Sequence, residues 1–442
     1  MRIPERVPLI PNDVKYGDIL DELIKLGKFS EFMEINDNKY YYYDKWKYLA
    51  EQWKMSPSSL WAAVKIRRFS NQILKISDVP GFTFQIGAPL VVQRYLHEFD
   101  MNLGGSLQGD AIIPTEDKER YLISSLMEEA IASSQLEGAA TTRKVAKEML
   151  ESNRKPKNAS EQMILNNYEA MKWIVSNKNA PFSLEAINKV HSIITKSTLS
   201  EKNEEGALRN TDDINVVDVQ TGKPIYTPPN SANLATLMND FCAFANEERK
   251  GSFFMHPITK GIILHFLIGY IHPFIDGNGR TARTIFYWYL LKEGYWLIEF
   301  MSVSRIILGS KAQYARAYLH TEQDQNDLTY FVIYNMKATH KALEDLKKYI
   351  QRKSAEKQNV MTLLRKTNFN DRQIVLIHEI IQDQTSYFTV QQVQTKFGVS
   401  NQTARNDLAG LVAQGLFEER KGGHKIQYLP VKQFVDKITK LQ

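Results

Sequence analysis

His272-Pro273-Phe274-Ile275-Asp276-Gly277-Asn278-Gly279-Arg280-Thr281-Ala282-Arg283 lies between two apolar segments with helical spacing, Thr259 to Tyr270 and Thr281 to Leu291. Gly277 and Gly279 free the backbone to turn so that successive N–H groups converge. A helix opening near Arg280 adds unpaired N–H groups and the positive end of its dipole at the same spot. Arg280 and Arg283 are three apart, hence on one helical face, and offer forked donors to phosphate oxygens. Such a loop suits a polyphosphate. Asp276 would repel that ligand without a cation between them, so it predicts Mg²⁺. His272 ends an apolar helix beside this cradle, where a group titrating near neutrality can take a proton from an attacking hydroxyl.

Three other readings of local motifs are weaker. Gly277 to Ala282 formally satisfies G-x-G-x-x-A, with Glu299 near the ribose position of a dinucleotide fold, but a helix rather than a strand precedes it and Pro273 interrupts the approach. Gly104 to Gly109 is spaced like a P-loop, yet Asp110 stands where lysine is required, so a plain loop is expected. His265 and His272 share a helical face without an HExxH or cysteine pair to make a metal site, and His265 reads as a core residue.

The rest of the 442-residue chain frames this loop. That length exceeds what one core usually serves. With 43% hydrophobic and 24% charged residues the composition is that of a globular protein, and a net charge of +6 permits an anionic partner without demanding one. The single cysteine, Cys242, excludes an internal disulfide. No apolar leader opens the chain, and its most apolar run, Gly261 to Ile271, is too short for a bilayer, so a cytoplasmic protein with no membrane partner is expected.

Three parts are expected: 1–116, helical with loops; 117–355, a helical core; and 356–442, a small separate unit. In the first, Ile19 to Leu26 and Asp44 to Trp53 carry helical spacing, while Asp78–Gly87 and Asn102–Thr115 read as loops. Its aromatic cluster Tyr40 to Tyr43 with Trp46 reads as packing within a helical domain in preference to stacking on single-stranded nucleic acid. In the second, Glu119 to Leu136, Ser160 to Ser176, Ser183 to Thr195 and Ser231 to Glu247 read as helices. Ile214 to Tyr226 reads as a hairpin, and a long helix from Leu328 ends near Gln351.

His272 to Arg283 resembles the Fic signature HPF-x-D/E-GNGR-x-x-R at every fixed position. The resemblance extends over about Glu119 to Gln351 and implies a mainly α fold, a helical core with a small hairpin flap. It implies a protein adenylyltransferase moving AMP from ATP to a Ser, Thr or Tyr hydroxyl. His272 would be the base and Asp276 the Mg²⁺ ligand. Asn278 with the N–H groups of Gly277 and Gly279 would hold the α-phosphate, and Arg280 and Arg283 the β- and γ-phosphates, with Thr281 and Ala282 completing the ATP site. By analogy of position Ser310 and Tyr314 would line the adenine pocket. Ser133, Glu137 and Gly138 resemble the family's inhibitory motif S/T-x-x-x-E-G/N, in which the glutamate pairs with the second motif arginine, here Arg283. Val216 and Val217 match the flap that docks a target peptide. Removal of AMP, transfer of another group, and a regulator that only senses nucleotide stand as rival readings.

The last part reads as helix, turn, helix and hairpin: Val390 to Phe397, a stop at Gly398, a cap at Ser400, Asn401 to Leu411, then Leu416 to Leu429 with a basic tip around Lys421. It resembles a winged helix-turn-helix. Thr403, Arg405, Asn406 and Lys421 are its candidate DNA contacts. Such units also dock proteins or dimerise, so DNA and a second copy of this chain are both open as partners.

Overall fold

The computed structural model describes residues 3–8, 10, 15–69, 71–104, 118–217, 222, 224–247, 254–365, 369–382, 387–422, 425–432 and 434–439, and for some of these, Val217 among them, the backbone alone. The P-loop-like stretch, the second half of the expected loop at 102–115, the hairpin residues 218–221 and the wing-tip residues 423–424 lie outside the described residues. The chain is mainly helical and forms two compact units, Met1–Leu346 and Lys347–Gln442.

The first unit begins with α1 (Tyr16–Lys25), α2 (Phe29–Glu34), α3 (Tyr43–Trp53) and α4 (Pro57–Arg67). Their core is aromatic: Trp46 is fully buried, with Phe32 at 5.5 Å and Trp53 at 6.3 Å between ring centroids. Tyr40, Tyr42 and Tyr43 are buried with them, which fits the packing reading of that cluster. The segment 78–87 departs from the expected loop. Pro80-Gly81 makes a turn joining β1 (Gln72–Lys75) and β2 (Thr83–Ile86), which pair antiparallel with Leu74 opposite Phe84. Phe82, Phe84 and Ile86 are buried at alternate positions, a period-two pattern hidden by the turn residues. Helix α5 (Leu90–Leu103) completes this region.

Helices α6 (Lys118–Leu136), α7 (Arg143–Glu151), α8 (Ala159–Ser176), α9 (Leu184–Thr195) and α10 (Leu234–Asn246) surround a central hairpin of α11 (Pro257–Ile271) and α12 (Asn278–Lys292). Helix α11 is apolar all round, and a helix of that kind must be covered on every side. Pro257 opens it at the first turn and His256 caps it. Between α9 and α10, β3 (Val216–Val217) and β4 (Pro224–Tyr226) pair antiparallel as the expected hairpin. The unit closes with α13 (Val303–Leu308), α14 (Lys311–Gln323) and the start of α15 (Thr329–Arg365). That helix runs past the expected end near Gln351. Its Lys, Ala, Glu and Gln residues are good helix formers, so polarity there marks exposure and not a break.

Buried charges tie the N-terminal helices to α14 and α15. Lys65 Nζ meets Asp324 Oδ1 at 2.8 Å, Tyr40 OH donates to Asp327 Oδ2 at 2.7 Å, and the Arg68 guanidinium lies 3.6 Å from the Tyr40 ring centre. Asp324 is wholly buried, so removing its partner strands a charge in the core. Lys65→Met is expected to destabilise the protein by about 3–5 kcal/mol in denaturant unfolding.

In the second unit, α16 (Asp371–Gln382), α17 (Val390–Phe397) and α18 (Asn401–Ala413) pack around Leu376, Val393, Leu408 and Leu411 with the wing β5 (Phe417–Gly422) and β6 (Lys425–Pro430), and α19 (Phe434–Thr439) follows. Thr389 and Gln392 form a capping box, Gly398 ends α17 at φ +62°, and Ser400 caps α18. The winged helix-turn-helix is therefore present.

Candidate functional site

The site grows from the turn between α11 and α12. His272 ends α11 in the left-handed conformation, φ +50°, which costs energy for a histidine and must be held by its surroundings. Arg209 holds it. Its side chain donates from Nε to the His272 carbonyl at 2.9 Å, its own N–H donates to the Pro273 carbonyl at 2.9 Å, and its remaining nitrogens reach Thr211, Asp212 and Pro229 at the base of the hairpin. On the other side, His191 stacks on Phe274 at 3.7 Å and 7°. Its Nδ1 accepts the Gly206 N–H at 3.0 Å, which leaves the proton on Nε2 to donate to the Asp276 carbonyl at 2.8 Å. Burial pulls the His191 pKa down to about 4, so this ring is neutral at pH 7.

The His272 ring faces a similar balance. Its Nδ1 is 3.3 Å from the Gly269 carbonyl, which assigns the proton to Nδ1 and leaves Nε2 free to accept one. Burial holds its pKa below the ordinary value, with Arg209 adding to the depression and the Gly269 carbonyl opposing it. A neutral imidazole with a bare nitrogen is what a general base requires.

Gly277 takes φ +81°, and a Cβ there would come within 2.8 Å of Thr195 Cγ2 and 3.3 Å of His191 Nε2. Asn278 turns its side chain inward, accepting from the Phe274 N–H at 3.0 Å and donating to its carbonyl at 2.8 Å. Expected at the α-phosphate, its side chain closes the loop on itself, so any contact with a phosphate falls to the backbone. Arg280 is fully buried and reaches Asp276 Oδ2 at 3.1 Å and the Ile194 carbonyl at 3.2 Å, while the Asp276 side chain is 58% exposed. Thr281 and Ala282 face the helical core and are buried.

Arg283 is the focus of a second cluster. It donates from Nε to Ser133 Oγ at 2.9 Å, and from one terminal nitrogen to the Ser133 carbonyl at 3.0 Å and Glu137 Oε1 at 2.8 Å. The Ser133 carbonyl is available because α6 ends at Leu136, leaving its last carbonyls without helical partners. Gly138, at φ +97°, follows. Glu137 lies directly over the loop: a Cβ on Gly279 would sit 2.1 Å from Glu137 Oε1. Sequence reasoning missed what anchors α6. Glu129, about one turn upstream of Ser133, is buried and accepts from Tyr287 OH at 2.8 Å, Ser302 Oγ at 3.0 Å and the Ser304 N–H at 3.0 Å. A buried acid on an otherwise apolar helical face was the signal.

Ser310 and Tyr314 part company. Ser310 Oγ pairs with Tyr334 OH at 2.8 Å, while Tyr314 OH bonds His265 Nε2 at 2.8 Å. His265 is indeed a core residue, 1% exposed. Val216 pairs with Tyr226 across the hairpin, and Tyr226 OH donates to the Tyr270 carbonyl at 2.8 Å, pinning the flap beside His272. Glu322, half-buried nearby, has its pKa raised to about 8 by burial. A carboxyl with a raised folded pKa contributes stability below its unfolded value, and that contribution is lost as pH rises through about 8. The Tm of Glu322→Gln is expected to fall less than that of wild type between pH 6 and 9.

In the second unit, Arg405 and Asn406 are exposed on α18, Thr403 is partly exposed, and Lys421 is exposed on β5. Arg405 Nε is oriented by Asn401 Oδ1 at 2.8 Å, and Gln402 by Asn406 at 3.0 Å. Asp407 is turned inward to Arg372 and Asn370.

Residues 181–290 match the family model described as Fic/DOC family, and residues 372–427 match the DeoR-like helix-turn-helix domain. Over 70 residues the chain is 41% identical to the protein adenylyltransferase Fic of Drosophila ananassae, 16% of this chain and 14% of that protein. Over 129 residues it is 34% identical to the same-named protein of Culex quinquefasciatus, 28% of this chain and 23% of that one. The chain thus spans less than a quarter of the length of these relatives. Among solved structures it is similar to a Fic family protein from Desulfovibrio desulfuricans G20, with TM-score 0.48 and 18% identity over 76% of this chain and 94% of that one. It is also similar to Fic-1 from C. elegans, with TM-score 0.43 and 18% identity over 76% and 84%.

Proposed function

The chain carries a Fic domain and a DeoR-type helix-turn-helix, and from that premise we propose that it is a protein adenylyltransferase whose resting state is held off by Glu137. The observation that carries this is the geometry at the loop. A neutral histidine with a free Nε2 stands at one end of a helix N-terminus that also bears Arg280 and Arg283, and one carboxylate occupies the second arginine.

In this reading His272 Nε2 takes the proton of a Ser, Thr or Tyr hydroxyl brought in along β3. The oxygen then attacks the α-phosphorus of ATP, the bond to the β-phosphate oxygen breaks, and pyrophosphate leaves. The N–H groups opening α12 and the two guanidinium groups neutralise the phosphates, so most of the acceleration is positioning and charge stabilisation. The Asp276 carboxylate, 58% exposed, is the one acid on the loop. That fits Mg²⁺, which is bound through one or two carboxylates plus substrate phosphates. Asp276 would hold it, and when bound it neutralises phosphate charge. No helix among the described residues is long and apolar enough to cross a membrane. A cytoplasmic setting agrees with Cys242 as a lone buried thiol.

Incubation with α-labelled ATP and Mg²⁺ tests the proposal. Label should appear on the protein itself or on a partner protein, and γ-labelled ATP should leave both unlabelled. Equal labelling from the γ-phosphate would sink AMP transfer.

The exposed, mutually ordered polar side chains on α18 favour a second role in duplex DNA binding. Binding is expected to weaken steeply with salt and to be lost in Lys421→Glu with Arg405→Glu. Salt-insensitive binding, or binding unchanged in that variant, would argue for protein docking instead.

A further inference from the structure

Beside α14 and α15 lies a cavity of about 710 Å³: no residue of 272–283 lines it, nor does Glu137 or Tyr314, and of the residues expected at the ATP site Ser310 alone is on its wall. Its walls come from 39–45 at the start of α3, from 305–320, and from one stripe of α15. Six cationic side chains line it against two carboxylates, Asp44 and Asp345. Two of the six are already paired: Arg305 with Asp345 of the same wall at 2.7 Å, and Lys39 with Glu34 outside it at 3.6 Å. Lys45, Arg316, Lys337 and Lys341 have no ion-pair partner among the described residues.

Like charges gathered from three separate elements into one concave basin repel each other, and the low-dielectric walls focus their field on whatever enters. The arrangement suits a compact polyanion. Between the charges the wall is aromatic. Tyr42 and His320 stack at 4.0 Å and 2°, and Tyr41 is partly exposed with its carbonyl fixed by Arg68 and Trp46. Tyr334 is held by Ser310 at 2.8 Å. Tyr42 itself is buried, and it is the partly exposed rings of Tyr41 and Tyr334 that can accept a base by stacking, whatever its identity. The volume is that of a small-molecule site and too small for a folded partner.

We propose that this cavity is a second nucleotide site, apart from the loop. It takes a nucleoside diphosphate or triphosphate, with the phosphates among Lys45, Arg316, Lys337 and Lys341 and the base against Tyr41 and Tyr334. Binding there relies on fixed cations and needs no metal.

Equilibrium dialysis of the full chain with labelled ADP, in EDTA, is the test. Lys337 and Lys341 are exposed on α15 and Lys45 on α3, so charge reversal at each spares the core. The double variant Lys337→Glu with Lys341→Glu is expected to lose one ADP equivalent per chain, and Lys45→Glu to weaken the same equivalent at least tenfold. ADP binding equal in wild type and both variants overturns the site. Competition by inorganic pyrophosphate as strong as by ADP overturns the role of the ring. Because the readout is the fraction lost in these variants, it stands or falls independently of nucleotide transfer at the loop.

Discussion

Glu137→Gly is expected to raise AMP transfer well over tenfold above wild type. The Glu137 carboxylate is 2.8 Å from the Arg283 guanidinium and lies so close over Gly279 that no Cβ would fit between them. A phosphate seated on the N–H groups of α12 and reaching for Arg283 must displace it. A charge-assisted hydrogen bond contributes roughly 1.5–3 kcal/mol when buried. The Glu137 side chain is 33% exposed, and solvent screening discounts that figure toward its lower end. About 1.4 kcal/mol is tenfold in rate, so the pair alone gives about one decade and the vacated space adds to it. Glu137→Gln keeps most of the bulk and is expected to gain less than the glycine variant. Fold stability is a minor concern, since Arg283 keeps both contacts with Ser133 when Glu137 is gone. Arg283→Ala breaks the same pair but deletes a phosphate ligand, so its activity should fall. Unchanged or reduced transfer in a folded Glu137→Gly protein would remove Glu137 as an inhibitor and favour removal of AMP as the activity.

The pairing of Glu137 with Arg283 was legible through the resemblance to the inhibitory motif, whose glutamate meets the second motif arginine, and the two side chains lie 2.8 Å apart. The glycine loop was legible because few residues besides glycine tolerate the backbone it adopts. What the sequence did not disclose depends on contacts distant along the chain. Arg209 clamps His272 and Pro273 from 63 residues upstream. His191 fixes the Asp276 carbonyl from 85 residues away. Neither belongs to a local pattern, and each reads in sequence as a polar residue near a helix. Asn278 is the opposite case. Its type and position suggested a ligand contact, yet its side chain satisfies the backbone of Phe274, because a tight buried turn cannot leave those groups unpaired. The same logic hid the β1–β2 hairpin, where turn residues in a ten-residue window outweighed three buried aromatic and aliphatic positions.

His272→Ala is expected to reduce transfer by about 10²–10⁴-fold, the usual contribution of a positioned general base, with nucleotide affinity nearly unchanged. Among the described residues the ring's hydrogen bond is to the Gly269 carbonyl through Nδ1, and Arg209 acts on the His272 and Pro273 carbonyls, which alanine keeps. Alanine at φ +50° carries some backbone strain, so His272→Asn, a residue that enters the left-handed region more readily, serves as the second variant and should be as inactive. The pH profile separates chemistry from structure. Burial lowers the His272 pKa below 6.5, so the neutral base persists as pH falls through that value, and the acidic limb of wild-type transfer should lie below pH 6.5. Residual transfer in either variant should lose this limb and rise instead with the ionisation of the target hydroxyl or of water. A wild-type rate in both folded variants, or an acidic limb that survives in them, would take His272 out of the mechanism and leave the loop as a nucleotide holder alone.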